Sequence, residues 1–332
     1  MPHRSLNRVV MASLVVSVVT FGGCATPTTP PSSQPSNSAV MTTTEAKQLR
    51  VVTTFLPVYL FTKAVAGDAA QVEILIPPGT EVHEYQSTPA AVRTIAQADI
   101  LVKNGLGIEE FLDNTLKSAE NQSLRVIDAS QGITTIAESS TVVHPAGQGT
   151  DTHQDQHNNH SHAEGNPHVW LDPVLAQKQV ENIRDGLIAA DPTNRKVYQA
   201  NATAYLEKLA ALNRQFIQSL QPYRDRRFVT FHDAFPYLAK RYQLQQVAVV
   251  EIPDDQLAPQ DLQTVMKTVE QFKVKAIFSE PGVDNRLVTN LSQDLQLTVY
   301  PLDSLEAGQL DPQYYFTVMQ GNLKKLETAF QQ

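Results

Sequence analysis

The chain has 332 residues, 42% of them apolar, and 34 acidic against 26 basic side chains give it a net charge of −8. That length and apolar content suit one large folded domain or two ordinary ones. The acidic balance, with no strong basic cluster, argues against a nucleic-acid partner.

The first residues carry Arg4 and Arg8, followed by an apolar run from Val9 to Phe21 that stops at Gly22, Gly23 and Cys24. Such a run is too short to span a bilayer comfortably and has the layout of an export signal. Small residues directly before the only cysteine of the chain resemble a bacterial lipobox. Residues 1–23 are therefore read as a signal peptide and Cys24 as the site of lipidation, which places the protein outside the cytoplasm on a lipid anchor. Phe21 departs from the aliphatic residue usual at that position. With a single cysteine, the mature fold can hold neither an internal disulfide nor a thiolate metal site. Residues 24–48, rich in Thr, Pro and Ser, cannot bury enough apolar surface to fold and read as a flexible tether.

From Leu49 onward, β-branched runs alternate with helical patterns. Strands are predicted at Val51 to Phe55, Val72 to Ile76, Ile100 to Lys103 and Leu124 to Ile127, with helices at Ala90 to Gln97 and Ile108 to Ala119. The same grammar returns in strands at Phe228 to Phe231, Gln246 to Glu251, Lys275 to Ser279 and Thr298 to Tyr300. Helices near Ala234 to Tyr242, Pro259 to Phe272 and Asn285 to Asp294 separate them. Between the two sets, Asp191 and Pro192 open a segment with apolar residues at helical spacing from Val197 to Leu220, ending before Pro222. The expected fold is α/β, with two lobes that each hold a mostly parallel sheet flanked by helices. Residues 49–190 make the first lobe, 191–222 one long linking helix and 223–332 the second lobe. A single long helix would limit how far the lobes swing.

The chemistry lies in the histidines. His144, His153, His157, His160 and His162 sit among Gly, Gln, Asn and Asp in a stretch without periodicity, read as a loop that holds metal loosely as a collector or sensor. Three others fall at the ends of structural elements: His83 after a strand and a Pro-Pro-Gly turn, His168 in Asn166-Pro167-His168-Val169-Trp170, and His232 at the end of a strand. Apart from His3, every histidine lies in the loop or at one of these junctions. Residues at the carboxyl ends of strands in open α/β sheets face the crevice where ligands bind.

Four stretches, Val82-His83-Glu84-Tyr85, Asn166 to Pro173, Phe231-His232-Asp233-Ala234-Phe235 and Phe278-Ser279-Glu280-Pro281, resemble the motifs of the ZnuA-like and TroA-like metal-binding lipoproteins. The resemblance runs from about Leu49 to the end of the chain. It implies one metal ion held between two α/β lobes and delivered, by a monomer, to an ABC-type permease in the membrane. It also implies ligands at His83, His168 and His232, with an acidic fourth ligand that maps onto Asp303. Related manganese binders place a carboxylate where this chain has His232, and three imidazoles favour a borderline ion such as zinc over harder manganese. Unlike some zinc members, this chain has no disulfide in its second lobe. Glu280 and Asp233 are candidates for orienting imidazoles through their second nitrogen, and Trp170 and Tyr85 for packing around the site.

The rival of another class is an exported zinc hydrolase, because three histidines with an open fourth position also activate water. Glu280 or Glu84 would be its base. No His-Glu-x-x-His pair, nucleophile arrangement or phosphate loop supports it.

Overall fold

Two four-stranded sheets, every strand pair parallel, organise the chain. A computed structural model describes residues 48–136, 165–250, 259–281 and 286–332. The predicted signal, Cys24, the tether up to residue 47 and the histidine-rich stretch with His144, His153, His157, His160 and His162 lie outside the described residues.

In the first lobe β1 (Leu49–Thr53), α1 (Leu56–Ala66), β2 (Ala70–Ile74), α2 (Pro89–Ala96), β3 (Ile100–Lys103), α3 (Leu112–Ala119) and β4 (Arg125–Asp128) give the strand order β2-β1-β3-β4. α4 (Pro173–Ala190) follows, and a 3₁₀ turn at 192–194 leads into α5 (Arg195–Leu220). The second lobe contains β5 (Arg227–His232), α6 (Pro236–Arg241), β6 (Gln245–Val250), α7 (Pro259–Phe272), β7 (Ala276–Ser279), α8 (Arg286–Asp294), β8 (Thr298–Pro301) and α9 (Tyr314–Phe330). Its order, β6-β5-β7-β8, repeats that of the first lobe. Parallel strands joined by crossover helices must be covered on both faces, which is why the inner strands β3 and β7 are near-continuous apolar runs.

The expected α/β architecture with two lobes and a long helix between them is what the chain adopts. α5 has 26 residues, about 39 Å at the usual helical rise. One stripe of it, Tyr198, Ala202, Tyr205, Leu209, Leu212, Phe216 and Leu220, is buried at steps of three and four. It packs on α1 and α4 of the first lobe and α9 of the second. A single apolar core consequently runs through both lobes, joining Phe55, Phe61 and Trp170 to Phe228, Phe278 and Tyr315. The outer faces of the sheets have smaller cores of their own, around Ile95 and Leu101 in one lobe and Val229 and Ile277 in the other.

Two boundaries shift for identifiable reasons. The helix expected from Ile108 begins at Leu112 because Gly105, Leu106 and Gly107 all take positive φ, and the buried Glu109 carboxylate accepts the Asn104 and Gly105 N–H groups. Burial pushes Glu109 up to about 7 against those bonds. α6 starts at Pro236 rather than Ala234, since proline fits the first helical turn where no N–H is needed.

Among the described residues no helix is long and apolar enough to cross a membrane.

Candidate metal centre

The carboxyl ends of the strands deliver the candidate residues. His83 lies in the loop after β2, His232 is the last residue of β5, and Glu280 follows β7. β5 and β7 are neighbours at the point where the strand order of the second sheet reverses, the position at which α/β sheets open a crevice. His168 precedes the 3₁₀ turn Val169–Leu171 that leads into α4, a helix capped by Asp172, whose Oδ1 accepts the Val174 N–H at 2.8 Å.

These loops bring three imidazoles from two lobes together. Ring centroids lie 5.4 Å apart for His83 and His168, 5.5 Å for His83 and His232, and 4.7 Å for His168 and His232. One nitrogen from each ring and one carboxylate oxygen of Glu306 all fall within 4.8 Å of one another. Three neutral nitrogens and a carboxylate, drawn together by modest side-chain movement, are a donor set that could hold a zinc-like ion.

Each imidazole of the buried pair is held by its second nitrogen. His232 Nδ1 is 2.8 Å from Glu280 Oε1, while its Nε2 is buried without a hydrogen-bond partner. Burial works against charge on His232, yet the Glu280 carboxylate outweighs it and holds the imidazole above its ordinary range. Burial likewise opposes charge on Glu280, but the charge and hydrogen bond of His232 keep its carboxyl below the usual range. Glu280 Oε2 accepts from Ser304 Oγ at 2.7 Å, and the Ser304 carbonyl accepts from Trp170 Nε1 at 2.7 Å. His168 Nδ1 sits 3.0 Å from Asn166 Oδ1, which also accepts the His168 N–H at 3.1 Å. Nε2 of His168 is thereby left facing Glu306, 3.5 Å from its Oε1. Burial, then the carboxylates of Glu81 and Glu280, hold the Glu306 carboxyl well above its usual range. Acidic groups converging on a buried pocket are costly without a cation among them.

A family model described as ZnuA, zinc-uptake complex component A, periplasmic, matches residues 51–329. The chain belongs to the ZnuA family. Among the family's curated members, "Zinc-binding lipoprotein AdcA" of Streptococcus pneumoniae is 36% identical over 290 residues, 86% of this chain and 56% of that protein. The chain thus spans little more than half the length of this relative. "High-affinity zinc uptake system protein ZnuA" of Bacillus subtilis is 32% identical over 300 residues, 88% of this chain and 92% of that one. The crystal structure of the Zn(II)-bound ZnuA-like domain of Streptococcus pneumoniae AdcA superposes with a TM-score of 0.69 at 34% identity, covering 86% of this chain and all of that domain.

The structure of this ZnuA-family chain brings His83, His168 and His232 together but leaves Asp303 out of the group. Asp303 Oδ1 accepts the Leu305 N–H at 2.8 Å, and its backbone is clasped by Asn322. Leu305 has a φ of 65°, and that turn directs Glu306 inward instead. Asp303 therefore holds the bend, and the carboxylate beside the imidazoles is Glu306. The Asp233 backbone carbonyl accepts from Asn166 Nδ2 at 2.7 Å, and its carboxylate adds to the charge that favours a protonated His232. Trp170 is fully buried with its ring 5.0 Å from that of His168, whereas Tyr85 packs edge-on against Phe111, 4.7 Å away.

Two positions escaped the sequence, Glu306 and Asn166. Asn166 opens a recognised motif two residues before His168, a spacing at which an Asn side chain bonds the backbone ahead of it.

Glu280→Gln keeps the shape but removes the charge that steadies His232. Zinc affinity is expected to fall roughly tenfold, the low end for partners of metal-binding histidines. Competition against a chelator measures this, and an unchanged affinity would remove Glu280 from the site.

Proposed function

We propose that this chain captures one zinc ion outside the cytoplasm, between its two lobes, and hands it to an ABC-type zinc importer in the membrane. The convergence of three imidazoles and the Glu306 carboxylate within 4.8 Å carries the reading. His83, His168 and His232 supply nitrogens suited to a borderline ion, and Glu306 completes a four-donor set. Glu280 and Asn166 keep His232 and His168 in the tautomer whose Nε2 lone pair faces the ion. The membership in a family described by zinc uptake, and relatives named for zinc binding and uptake, support the choice of metal and of transport.

Four protein donors also weigh against the hydrolase. A catalytic zinc site keeps one position open for water, whereas a closed set binds without activating. The chain acts as a binding component and a monomer, tethered through a lipid on Cys24 after removal of residues 1–23. His144, His153, His157, His160 and His162 collect metal near the tighter site.

Calorimetry on the soluble form beginning at Thr42 tests this. One tight zinc site is expected, with manganese at least tenfold weaker. The site must also lose at least tenfold in zinc affinity between pH 7.5 and pH 5, because protons compete with the ion for imidazole nitrogens and Glu280 raises the hold of His232 on its proton. Manganese binding as tightly as zinc, or zinc binding unchanged at pH 5, would overturn the assignment.

A further inference from the structure

Ile136 and Gly165 stand on either side of residues 137–164. Directly after Gly165, the Asn166 N–H donates to the Ile136 carbonyl at 3.0 Å and draws the two strands of chain together. The approach is close enough to require glycine: Gly165 has a φ of +89°, and a Cβ there would lie 2.8 Å from the Ile136 oxygen.

The pair is closed from the other lobe. Tyr237, in the first turn of α6, accepts the Ile136 N–H at 3.1 Å and donates to the Asn166 carbonyl at 2.6 Å. Its side chain is buried, and burial pushes the hydroxyl up to about 12, so it keeps the proton it donates. Asn166 is then fixed at four points: its N–H and carbonyl by the contacts just given, Nδ2 by the Asp233 carbonyl, and Oδ1 by His168. One second-lobe hydroxyl thus satisfies two backbone groups of the first lobe beside the residue that orients His168.

We propose that Tyr237 is a positioning residue for the metal centre, holding Asn166 and through it the His168 imidazole from across the lobe boundary. This rests on the zinc reading given above. Without the hydroxyl, the Ile136 N–H and Asn166 carbonyl lose a shared buried partner. Asn166 then loses one of its four anchors, and a shift of its Oδ1 releases the His168 ring from the orientation that faces the other donors. Loss of such an outer partner weakens metal binding about 10- to 100-fold.

Tyr237→Phe removes one oxygen atom and keeps the ring. In the full chain purified in detergent, zinc affinity is expected to fall at least tenfold by chelator competition, and the visible spectrum of the cobalt-loaded protein to change as the ligand field loosens. Asn166→Ser shortens the side chain and should produce the same spectral change. The double variant should bind no more weakly than Asn166→Ser alone, since one residue acts through the other. Wild type and His168→Ala run alongside: no tight zinc site in wild type would sink the zinc reading, and this proposal with it. With wild type binding tightly, a Tyr237→Phe affinity within twofold and an unaltered cobalt spectrum overturn the proposal, even if the metal-free melting temperature drops. Additive losses in the double variant overturn it as well. Should Tyr237→Phe fail to fold, Asn166→Ser decides the matter alone, and an unchanged cobalt spectrum in that variant would be equally fatal.

Discussion

Replacing His232 by alanine is expected to lower zinc affinity at least a thousandfold, about 4 kcal/mol. Two losses combine. One of four donors disappears, and Glu280, almost wholly buried, loses the imidazole 2.8 Å away that holds its carboxyl in the charged form. An unpaired buried carboxylate costs several kcal/mol unless it takes up a proton. His168→Ala should cost nearly as much, because it removes a donor while leaving the neutral Asn166 amide rather than a charge behind. Chelator competition on both variants measures the effect. A loss under tenfold in either would mean that the ion is held elsewhere, with the histidine-rich stretch the first alternative.

Glu306→Ala should weaken zinc binding by about a hundredfold and yet raise the melting temperature of the metal-free protein. Its carboxyl is buried beside Glu81 and Glu280, so in the absence of an ion desolvation and repulsion outweigh what Ser304 and His168 return. Binding and stability move in opposite directions, as expected where a site is kept strained for function. Asp303→Ala should do the reverse. Zinc affinity changes less than threefold, while stability falls by about 1 kcal/mol with the lost bond to the Leu305 N–H. Calorimetry for zinc and thermal melts without metal separate the two acids. A large zinc defect in Asp303→Ala, with none in Glu306→Ala, would restore Asp303 as the fourth donor.

The strands and several helices are legible because their patterns are local. β3 is a run of Ile100, Leu101 and Val102 buried on both faces, and the 26-residue α5 shows its stripe plainly. α1 leaves no such mark: nine of its eleven residues are buried, so it has no polar face to set a period. A largely apolar run of that length reads equally as helix or strand. α4 and α9 carry a periodic face, but it is a weaker signal than the motif and turn that precede them. At the site, the histidines stand out because imidazoles are rare and sit at strand ends. Glu306 does not, since the choice between two carboxylates three residues apart depends on the backbone turn at Leu305, and nothing in a leucine announces a positive φ. The role of Tyr237 depends on contacts across 71 and 101 residues, which no local pattern encodes.

The stretch from Asn166 to Asp172 belongs to the first lobe by its place in the chain, but the second lobe grips it along its whole length. Asn166 donates to the Asp233 carbonyl, Trp170 to Ser304, Tyr315 donates to the Trp170 carbonyl, and Arg241 Nε meets Asp172 Oδ2 at 2.8 Å. Mechanically it is a strap riveted to both halves of a clamp. Opening the halves as rigid bodies must either shear these rivets, and the Tyr237 bond to the Asn166 carbonyl with them, or carry the strap off with one jaw, and His168 is mounted on the strap. His83 and His232 each ride with a single jaw. The load of any opening stroke thus falls on His168.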